Sequence, residues 1–466
     1  MSPEPLSRSM MDLLRELAPL RRFLVSPGLD RTFEIIKREL PDFRIHEYPT
    51  GLECEDWIIP PSWEVREGYL KDESGTTVGS IQECPLFVAP YSEPVEGWFT
   101  KEEIGHHLTT RPDRPHAYAL EHRNAYNYRL VDWGITLPHE RWVHLPAGRY
   151  YVKIVVERTA GHLKVAEAFF PGRRPETLCI CAHIDELCND DLTGCVVAVE
   201  LGKYLSALND REYSYQILLA PEMFGTMYYV FHNLEKVKHT IGMLNLETLG
   251  AGETWVLKKS LREGTRLEQV LRAALKAGNK AFRERDYLDA YVNDERIFAW
   301  PAIDLPGVSL QRHPFPEYHT SEDTPDIVSG KFLEEGLEIT KTFVRILESD
   351  FVPRYRIVLQ PWLTRHGLYF DCLSDFDHFA RFNHHVMYNV NGHHSVLDIA
   401  EKAGLNFFDV LDFLKRFKEK GFIDVPGVIL ISSVQIPSLI PERDGRVSGR
   451  PSLKTISEKR QTTAFS

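Results

Sequence analysis

Between residues 177 and 313, apolar runs of strand length alternate with stretches of helical periodicity. This alternation predicts a mostly parallel sheet sandwiched by helices, because parallel neighbours need long crossover connections that are usually helical. We therefore expect an α/β fold over this part of the chain. The runs are TLCICAHID, SYQILLAPE, IGMLNLETLG and GVSLQRHP, which begin at residues 177, 214, 241 and 307.

Each run ends in, or is soon followed by, a side chain that can bind a metal ion. Ligands of such sheets lie beyond the carboxyl ends of the strands, which is where these side chains fall. Two histidines and three carboxylates suit two adjacent divalent cations better than one, because a structural zinc usually has four Cys or His ligands. The sequence therefore predicts a two-metal hydrolase. The five candidate ligands are His183, Asp190, Glu222, Glu247 and His319.

Two of the candidate ligands follow the first run closely. His183 and Asp185 form an HxD pair, and we expect Asp185 to hold the second ring nitrogen of His183 instead of binding metal itself. Asp190 and Asp191 then open a helix. One of these acids is able to bridge two cations with its two oxygens while the other caps the helix, although both acids would also suit as simple caps.

The other three candidate ligands stand singly. Glu222 and Glu247 each end an apolar run, where a lone carboxylate is often only a cap, so their recurrence along one sheet carries the argument. His319 lies in the polar turn PEYHTSEDTPD, residues 316–326. Asp323 in the same turn is a candidate to orient the imidazole of His319.

The composition is that of an ordinary soluble enzyme. The 466 residues are 43% hydrophobic and 26% charged, enough for two or three domains and a large core. The first residues lack a basic leader followed by an apolar run, and no stretch approaches the roughly 20 apolar residues of a membrane span. We therefore expect a cytoplasmic protein without a membrane partner. The net charge of −12 argues against broad binding of polyanions.

The N-terminal third changes in texture after the first forty residues. Apolar residues at helical spacing predict two amphipathic helices there, the second capped by Asp30. Short alternating runs, many aromatics and turn signals then predict a small β-rich domain over residues 46–156. The α/β domain is accordingly expected to combine residues 1–45 and 157–352.

The C-terminal part outlines a winged helix over residues 353–441. The predicted elements are a short strand at VMYN, a helix from Val396, a turn at Gly404, a second helix to Lys420 and a closing strand. Residues 442–466 are rich in Ser, Arg, Lys and Gly and are expected to form a flexible tail.

A series of motifs connects the candidate ligands. In order, the chain carries HID, NDDLTG, PE with a downstream GT, NLETLG, NDERIFAWPAIDLPGVSL and PEYHTSEDT. Over residues 177–348 the series resembles the co-catalytic zinc aminopeptidases related to the Aeromonas enzyme and glutamate carboxypeptidase. The resemblance implies a zinc exopeptidase-like fold and two zinc ions. It places His183 and Glu247 on one metal, Glu222 and His319 on the other, and Asp190 between them.

The remainder of the chain is similar to one branch of that family. This branch consists of bacterial proteins with an aminopeptidase-like domain, an inserted β-domain and a C-terminal winged helix, and they are often associated by name with polysaccharide biosynthesis. The branch commonly has a second His and a Pro after the first metal His. Here Asp185, Glu186 and Leu187 stand in their place and restore the HxD pattern of the peptidases.

The general base is the point at which this chain departs from the peptidases. They carry two successive glutamates at the third motif, the first a base and the second a ligand, whereas this chain has Pro221 and Glu222. If Glu222 is the ligand, the base position is a proline that cannot transfer protons. If Glu222 is the base, one metal lacks a ligand. A third interpretation makes Glu186 or Glu317 the base.

Three competing sites are weighed against this centre. Four neighbouring cysteines suggest a four-thiolate zinc site, but their spacing does not resemble the paired CxxC motifs of such sites. We therefore expect buried, reduced thiols. Positive charge on the second winged-helix segment suggests DNA binding, but such charges are usually solvated. Aromatics of the β-rich domain would select a sugar, although they more often form core. The cysteines are Cys179, Cys181, Cys188 and Cys195. The basic residues of the second winged-helix segment are Lys415, Arg416, Lys418 and Lys420, and the aromatic residues of the β-rich domain are Trp57, Trp63, Trp133 and Trp142.

The resemblance thus implies a zinc-dependent aminopeptidase-type hydrolase that cleaves an N-terminal aminoacyl amide. Its expected partner is a peptide or aminoacyl small molecule, and a homo-oligomer is left open. The alternatives are a catalytically impaired aminopeptidase-like binding module and an aminoacyl- or peptidyl-sugar amidohydrolase linked to polysaccharide metabolism. A winged-helix DNA-binding regulator is the last of them.

Overall fold

A computed structural model describes residues 6–121, 131–289, 291–371, 373 and 375–425. Two helices begin this part of the chain, as predicted: α1, Leu6–Leu17, and α2, Pro27–Glu39. The prediction that Asp30 caps the second helix is wrong. Ser26 is the cap and accepts a hydrogen bond from the Leu29 N–H at 3.3 Å, because Pro27 suits the first helical position and Asp30 then falls inside the first turn.

A small antiparallel sheet follows the helices. Its four strands lie in the order β5-β4-β9-β6, and they are the main part of the segment that we call the insert, residues 53–159. The strand before the insert, β1, belongs to a different sheet. The elements are β1 Arg44–Pro49, β2 Glu53–Cys54, β3 Trp57–Ile58, β4 Ser62–Lys71, β5 Thr77–Ser80, β6 Val95–Thr100, α3 Lys101–Gly105, β7 Leu108–Thr109, β8 Ile135–Thr136, α4 His139–His144 and β9 Arg149–Thr159.

The strands and helices predicted between residues 177 and 313 are present, and most of the strands are separated by helices. Each of the predicted runs forms one buried strand. The elements are β10 His162–Phe170, β11 Thr177–His183, α5 Leu192–Ala207, β12 Ser214–Ala220, α6 Phe224–His232, α7 Leu234–Val237, β13 Thr240–Glu247, β14 Thr254–Lys258, α8 Arg266–Ala277, β15 Phe282–Arg285, α9 Glu295–Phe298, β16 Gly307–His313 and α10 Gly330–Ser349.

The central sheet has eight strands in the order β1-β10-β12-β11-β13-β16-β14-β15. The four middle strands, β12, β11, β13 and β16, run parallel, while β10 and β14 are antiparallel to their inner neighbours. Helices α1, α2, α5, α8 and α10 cover one face of the sheet. Helices α6, α7 and α9 and the insert cover the other. The predicted fold class, a mostly parallel sheet between layers of helices, is confirmed.

The topology places the carboxyl ends of the four parallel strands at one edge. Strands β11 and β13 end at His183 and Glu247, and both side chains lie on the face that the insert covers, because they share the strand alternation of Cys181 and Met243. Strand β11 is buried along its whole length. The edge beyond these ends is therefore where a site is expected.

The C-terminal region contains both helices predicted for the winged helix, α13 and α14. The short strand predicted at VMYN is wrong, because residues 386–389 are helical and bury Val386 and Met387. The winged helix stays a prediction: residues 426–441, like the predicted tail 442–466, lie outside the described residues. The elements are β17 Arg354–Tyr355, α11 Phe376–Ala380, a π-helix Arg381–Val386, α12 Met387–Asn389, α13 Val396–Ala403, α14 Phe407–Glu419 and β18 Ile423–Asp424.

The insert boundaries also stay a prediction. Strand β1 pairs with β10 in the central sheet from Arg44 to Pro49, whereas β9 pairs with β4 and β6 of the insert. No helix within the described ranges is long and apolar enough to cross a membrane.

Glu167 on β10 ties the edge of the central sheet to the helices over it. It is 3% exposed and accepts hydrogen bonds from Tyr229 and Lys236, while His46 Nε2 lies 2.7 Å from Oε2. Burial alone would raise its pKa, but the contacts with His46, Lys236 and Tyr229 outweigh burial and lower the pKa to about 2. Gln216 donates a further hydrogen bond to it.

We expect Glu167→Gln to destabilise the protein by about 3 kcal/mol at pH 7, the free energy that corresponds to a pKa lowered from 4.5 to about 2. A lowered carboxyl pKa stabilises the fold above pH 4.5 and ceases to do so as the pH falls towards 2. Urea unfolding at pH 7 and pH 3 measures the difference, which should shrink at pH 3. Glu157→Gln, which removes an exposed partner of Arg66, is the control and should change stability by less than about 1 kcal/mol. An equal loss at both pH values would contradict the assignment.

Candidate functional site

The residue at the end of β11, His183, lies at the centre of the candidate site. The side chain is 1% exposed, and its Nδ1 is 3.2 Å from Asp185 Oδ1. Its Nε2 is 3.1 Å from Asp190 Oδ1 and 3.7 Å from Glu247 Oε1. One ring nitrogen of His183 therefore lies beside Asp185 and the other beside two carboxylates, while the role of His183 as a metal ligand stays a prediction.

A second group of side chains converges on the other oxygen of Asp190. His319 Nε2 is 3.0 Å from Asp190 Oδ2 and 3.3 Å from Glu186 Oε2. Two sets could each hold a cation: His183, Asp190 and Glu247, and Glu186, Asp190 and His319. Within each set one potential ligand atom per residue lies within 4.8 Å of the others. Asp190 belongs to both sets.

Glu222 and Glu317 lie differently from Glu186. Glu222 belongs to neither set, although it is adjacent to them: its backbone N–H donates to Asp185 Oδ1 at 2.9 Å. Burial and the negative charge of Glu186 raise the pKa of Glu222 well above its ordinary value. Glu317 pairs with Arg114 at 3.5 Å and is also outside both sets. Glu186 is therefore the one of these three glutamates that the structure groups with His319.

The two adjacent acids at the start of α5 have separate roles. Asp191 is the N-cap of α5, and its Oδ1 accepts hydrogen bonds from the N–H groups of Gly194 at 2.9 Å and Thr248 at 3.0 Å. Asp190 points to the two histidines. The two acids thus have different contacts, and Asp190 as the bridge between two cations stays a prediction.

Asp323 has a different contact from the one expected. Its carboxylate accepts hydrogen bonds from the backbone N–H groups of Asn189 at 2.6 Å and Asp190 at 3.1 Å. Burial raises the pKa of Asp323 to about 8. The side chain thus fixes the backbone that carries Asp190, and connects that loop to the turn of His319.

Arg22 is a site residue that sequence reasoning missed. Its guanidinium is buried between α1 and the loop after β11, where it donates to the carbonyls of Ile184 at 3.1 Å and Glu186 at 3.1 Å. It also donates to the carbonyl of Leu187. An arginine in an amphipathic N-terminal segment gives no local signal of this contact, which spans more than 160 residues.

The segment before α9 holds the opposite side of the site. Asn293 Nδ2 donates to Glu247 Oε2 at 2.6 Å, and Asp294 accepts the N–H of Met223 at 2.8 Å beside Glu222. Burial raises the pKa of Asp294 to about 6. The signal for these residues was present in the NDE motif, but the roles of its members were not inferred from it.

Four non-glycine residues at the site have left-handed backbone conformations. They follow strands or carry site side chains, and their φ angles lie between 52° and 65°. Such residues cost about 1–3 kcal/mol each and persist where the surrounding contacts require them, often at functional sites. They are Glu186, Met223, Thr248 and His319.

The insert contacts the turn that carries His319. The Leu120 N–H donates to the His319 carbonyl at 2.8 Å, and Tyr118 and Ser321 exchange hydrogen bonds beside it. Arg111 donates to the Tyr318 carbonyl at 2.9 Å. Tyr118, Leu120 and Arg111 belong to the insert, so the small sheet and its loops help to position one histidine of the site.

The aromatic residues of the alternative sugar-binding site and the cysteines of the alternative zinc site lie mainly in the core. Trp63 and Trp133 are buried, Trp57 packs edge-on against Phe224 at 4.9 Å, and Trp142 lies under Lys101. No cysteine belongs to a potential metal cluster in the described part of the chain. All four cysteines of the alternative zinc site are buried and form no disulfide: Cys179, Cys181, Cys188 and Cys195.

The sheet order and the flanking helices define an α/β fold of the zinc exopeptidase-like type, which the comparisons with known proteins support. A family model described as "Domain of unknown function (DUF4910)" matches residues 11–350, and the chain belongs to that family. A curated relative from Clostridium acetobutylicum, "Putative polysaccharide biosynthesis protein with aminopeptidase-like domain", is 28% identical over 410 residues, which is 85% of this chain and 91% of the relative.

Solved structures share this fold. A "putative peptidase" from Clostridium acetobutylicum has a TM-score of 0.79 at 25% identity and is aligned over 90% of this chain and 96% of its own. The zinc aminopeptidase BSAP from Bacillus subtilis has a TM-score of 0.55 at 13% identity, over 73% and 93% of the two chains. A peptidase M28 precursor from Shewanella amazonensis has a TM-score of 0.54 at 13% identity, over 76% and 97%.

A buried ion pair supports the segment before α9. Lys258 on β14 pairs with Glu295, both side chains are fully buried, and Lys258 also donates to the Tyr291 carbonyl. Burial lowers the pKa of Lys258 to about 7. We expect Lys258→Met to cost about 3–5 kcal/mol of stability, because it leaves the Glu295 carboxylate buried without its cation.

The matched control is the double variant Lys258→Met/Glu295→Met, which removes both charges. It should be more stable than Lys258→Met alone, since no unpaired buried charge remains. Urea unfolding at pH 6, below the lowered pKa of Lys258, measures both variants and the single variant Glu295→Met. A double variant that loses the sum of the two single losses would contradict a coupled pair.

Proposed function

We propose that the chain is a metal-dependent hydrolase of the aminopeptidase type, with two divalent cations, zinc being the expected element. The observation that carries the proposal is the sharing of Asp190 by two sets of His and carboxylate ligands. Imidazole nitrogens and carboxylate oxygens are the ligands of catalytic zinc. The cleavable bond is the amide that follows an N-terminal aminoacyl group.

The charge at the site favours cations there. Asp190, Glu247, Glu186 and Glu222 lie close together and mostly out of water, and burial raises the pKa of Glu247 and Glu222. Buried carboxylates that face one another must be protonated or be neutralised by positive charge. The donor set therefore fits two divalent cations, with His183 and Glu247 on one, His319 and Glu186 on the other, and Asp190 between them.

We propose that Glu186 takes the ligand role for which Pro221 leaves no second glutamate. If Glu186 supplies the ligand that the peptidases take from their second glutamate, Glu222 is left to act as the base. Its position supports this role, since its backbone N–H is held by Asp185 Oδ1 at 2.9 Å beside the proposed ligands. A base must lie beside the ligands without being one.

The residues of the chain then have distinct tasks in hydrolysis. Bound divalent cations supply the charge that polarises the scissile carbonyl and lowers the pKa of water. Asp185 keeps His183 oriented through its Nδ1, while Asn293 orients Glu247. Glu222 accepts the proton of the attacking water and returns it to the departing amine.

Metal analysis of protein prepared without chelators should find close to two zinc ions per chain. Asp190→Ala should remove both, because Asp190 contributes an oxygen to each set. The matched control is Glu317→Gln, a nearby carboxylate outside both sets, which should keep the metal content of the unchanged protein. Metal-free protein, or full metal content in Asp190→Ala, would refute the centre.

Substitution of the two glutamates separates ligand from base. Glu222→Gln should keep both metals and lower kcat for a chromogenic aminoacyl amide by about 10²–10⁴, the usual contribution of a general base. Glu186→Gln should lose one metal. The measurements are elemental analysis and turnover with added zinc, cobalt or manganese. Loss of metal in Glu222→Gln, with full metal in Glu186→Gln, would reverse the assignment.

A second candidate function differs only in the substrate. The curated relative is named for polysaccharide biosynthesis as well as for its aminopeptidase-like domain. An aminoacyl or peptidyl sugar presents the same amide to the same site, so an amidohydrolase of such sugars uses the residues described above. Turnover of an N-aminoacyl amino sugar in preference to the matched aminoacyl anilide would favour this candidate.

A further inference from the structure

An open pocket of about 420 Å³ lies beside the candidate site on the same face of the sheet. Arg283 and Arg285 of β15 and Gln311 and His313 of β16 line it, together with Tyr291 and Asp289. None of these residues has a task in the proposed hydrolysis. The pocket therefore needs an explanation of its own.

Strand register places the pocket next to Glu247. Arg283 pairs with Val256, Val256 with Gln311, and Gln311 with Glu247. Paired residues on neighbouring strands project from the same face, so this row runs directly from the arginine to the candidate ligand. Arg285 lies two residues beyond Arg283 and hence on the same face.

Stacked rings connect the pocket to the other set of candidate ligands. Tyr291 stacks on Tyr318 with centroids 4.5 Å apart, and Tyr318 stacks on His319 at 3.7 Å. Tyr291 also packs edge-on against His313 of the pocket at 4.9 Å. A single aromatic ring, that of Tyr318, therefore separates Tyr291 of the pocket from His319.

The pocket has unused positive charge and an unused donor. In the described part of the chain, neither Arg283 nor Arg285 forms a side-chain hydrogen bond or ion pair, whereas Glu284 between them turns to Arg272 on the opposite face. Gln311 is 2% exposed, and its Nε2 has no hydrogen-bond partner among the described residues. Asp289 is the one carboxylate among the lining residues, so two guanidinium groups outnumber it.

We infer that this pocket binds an oxyanion of the substrate, a carboxylate or a phosphate carried near the scissile amide. The inference rests on the proposed hydrolase function and names its substrate class. The planar guanidinium groups of two arginines recognise carboxylates and phosphates through charge-assisted hydrogen bonds, which are about twice as strong as neutral ones. The pocket thus selects acidic aminoacyl or peptidyl substrates over neutral ones of the same shape.

The first experiment compares matched substrates of the metal-loaded full chain. Glutamyl p-nitroanilide carries its side-chain charge before the scissile amide, and Leu-Glu carries it after. Glutaminyl p-nitroanilide and Leu-Gln are the matched substrates with neutral side chains. In one of these pairs the acidic member should have a kcat/KM at least about tenfold higher, a ratio that charge-assisted hydrogen bonds supply readily. Arg283→Gln/Arg285→Gln should abolish the ratio while leaving the neutral substrates unchanged.

Arg44→Gln is the matched control, since Arg44 is an exposed arginine on β1 at the opposite edge of the same sheet. It should keep the ratio of the unchanged protein. Hydrolysis of neutral and acidic substrates at equal kcat/KM would contradict oxyanion binding in the pocket, and so would an acidic preference that survives in the double arginine variant. Neither result would contradict the proposed hydrolase function.

The second experiment decides the pocket even if no substrate is turned over. Calorimetric titration of the metal-loaded protein with L-glutamate, O-phospho-L-serine and L-glutamine should show at least about tenfold tighter binding of one anionic amino acid than of glutamine. The preferred anion distinguishes carboxylate from phosphate. The double arginine variant should lose that preference, and Arg44→Gln should keep it. Equal binding of all three amino acids, or equal loss in both variants, overturns the inference.

Discussion

The arrangement of this protein depends on holding several carboxylates together, largely out of water, at the carboxyl edge of a parallel sheet. Like charges in a medium of low dielectric repel strongly, so each carboxylate needs a donor that fixes one of its oxygens. Backbone N–H groups and amide side chains supply these donors. The pairs are Asp185 with Glu222 N–H, Asp191 with Gly194 and Thr248 N–H, Asp294 with Met223 N–H, Asp323 with Asn189 and Asp190 N–H, and Glu247 with Asn245 and Asn293.

The need to fix these carboxylates accounts for features that by themselves cost free energy of folding. Left-handed backbone at Glu186 and His319 turns their side chains inward immediately after a strand or within a tight turn. Arg22 satisfies the carbonyls of the loop that carries Glu186. The insert performs the corresponding task for His319 by pairing Leu120 with its carbonyl. The N-terminal helices and the insert are thus structural supports of the site, although neither contributes a candidate ligand.

The sequence predicted the sheet and the strand-end residues because those signals are local. Each parallel strand is a short apolar run, and its last residue necessarily reaches the shared edge. Helix capping alone left open which of Asp190 and Asp191 is the cap, and the choice of Asp190 as the bridge came from the family resemblance. The contacts of Arg22, Asn293 and the insert did not follow, since they join segments far apart in the chain, and periodicity carries no information on such pairs. The strand predicted at residues 386–389 was wrong because its apolar residues pack at helical spacing against α13.

Under the proposed assignment, Glu186 in one loop compensates for a residue that another loop lacks. Pro221 follows β12 at the position where the resemblance implies a glutamate, and the neighbouring loop after β11 places Glu186 Oε2 3.3 Å from His319 Nε2. Strands β11 and β12 are parallel neighbours, so their carboxyl ends are adjacent and a side chain from either loop reaches the same space. A metal site constrains the positions of its ligand atoms, not the strand that supplies them. The proposed assignment of Glu186 as ligand and Glu222 as base therefore preserves a two-cation site on this sheet, even though the paired glutamates are missing from the sequence.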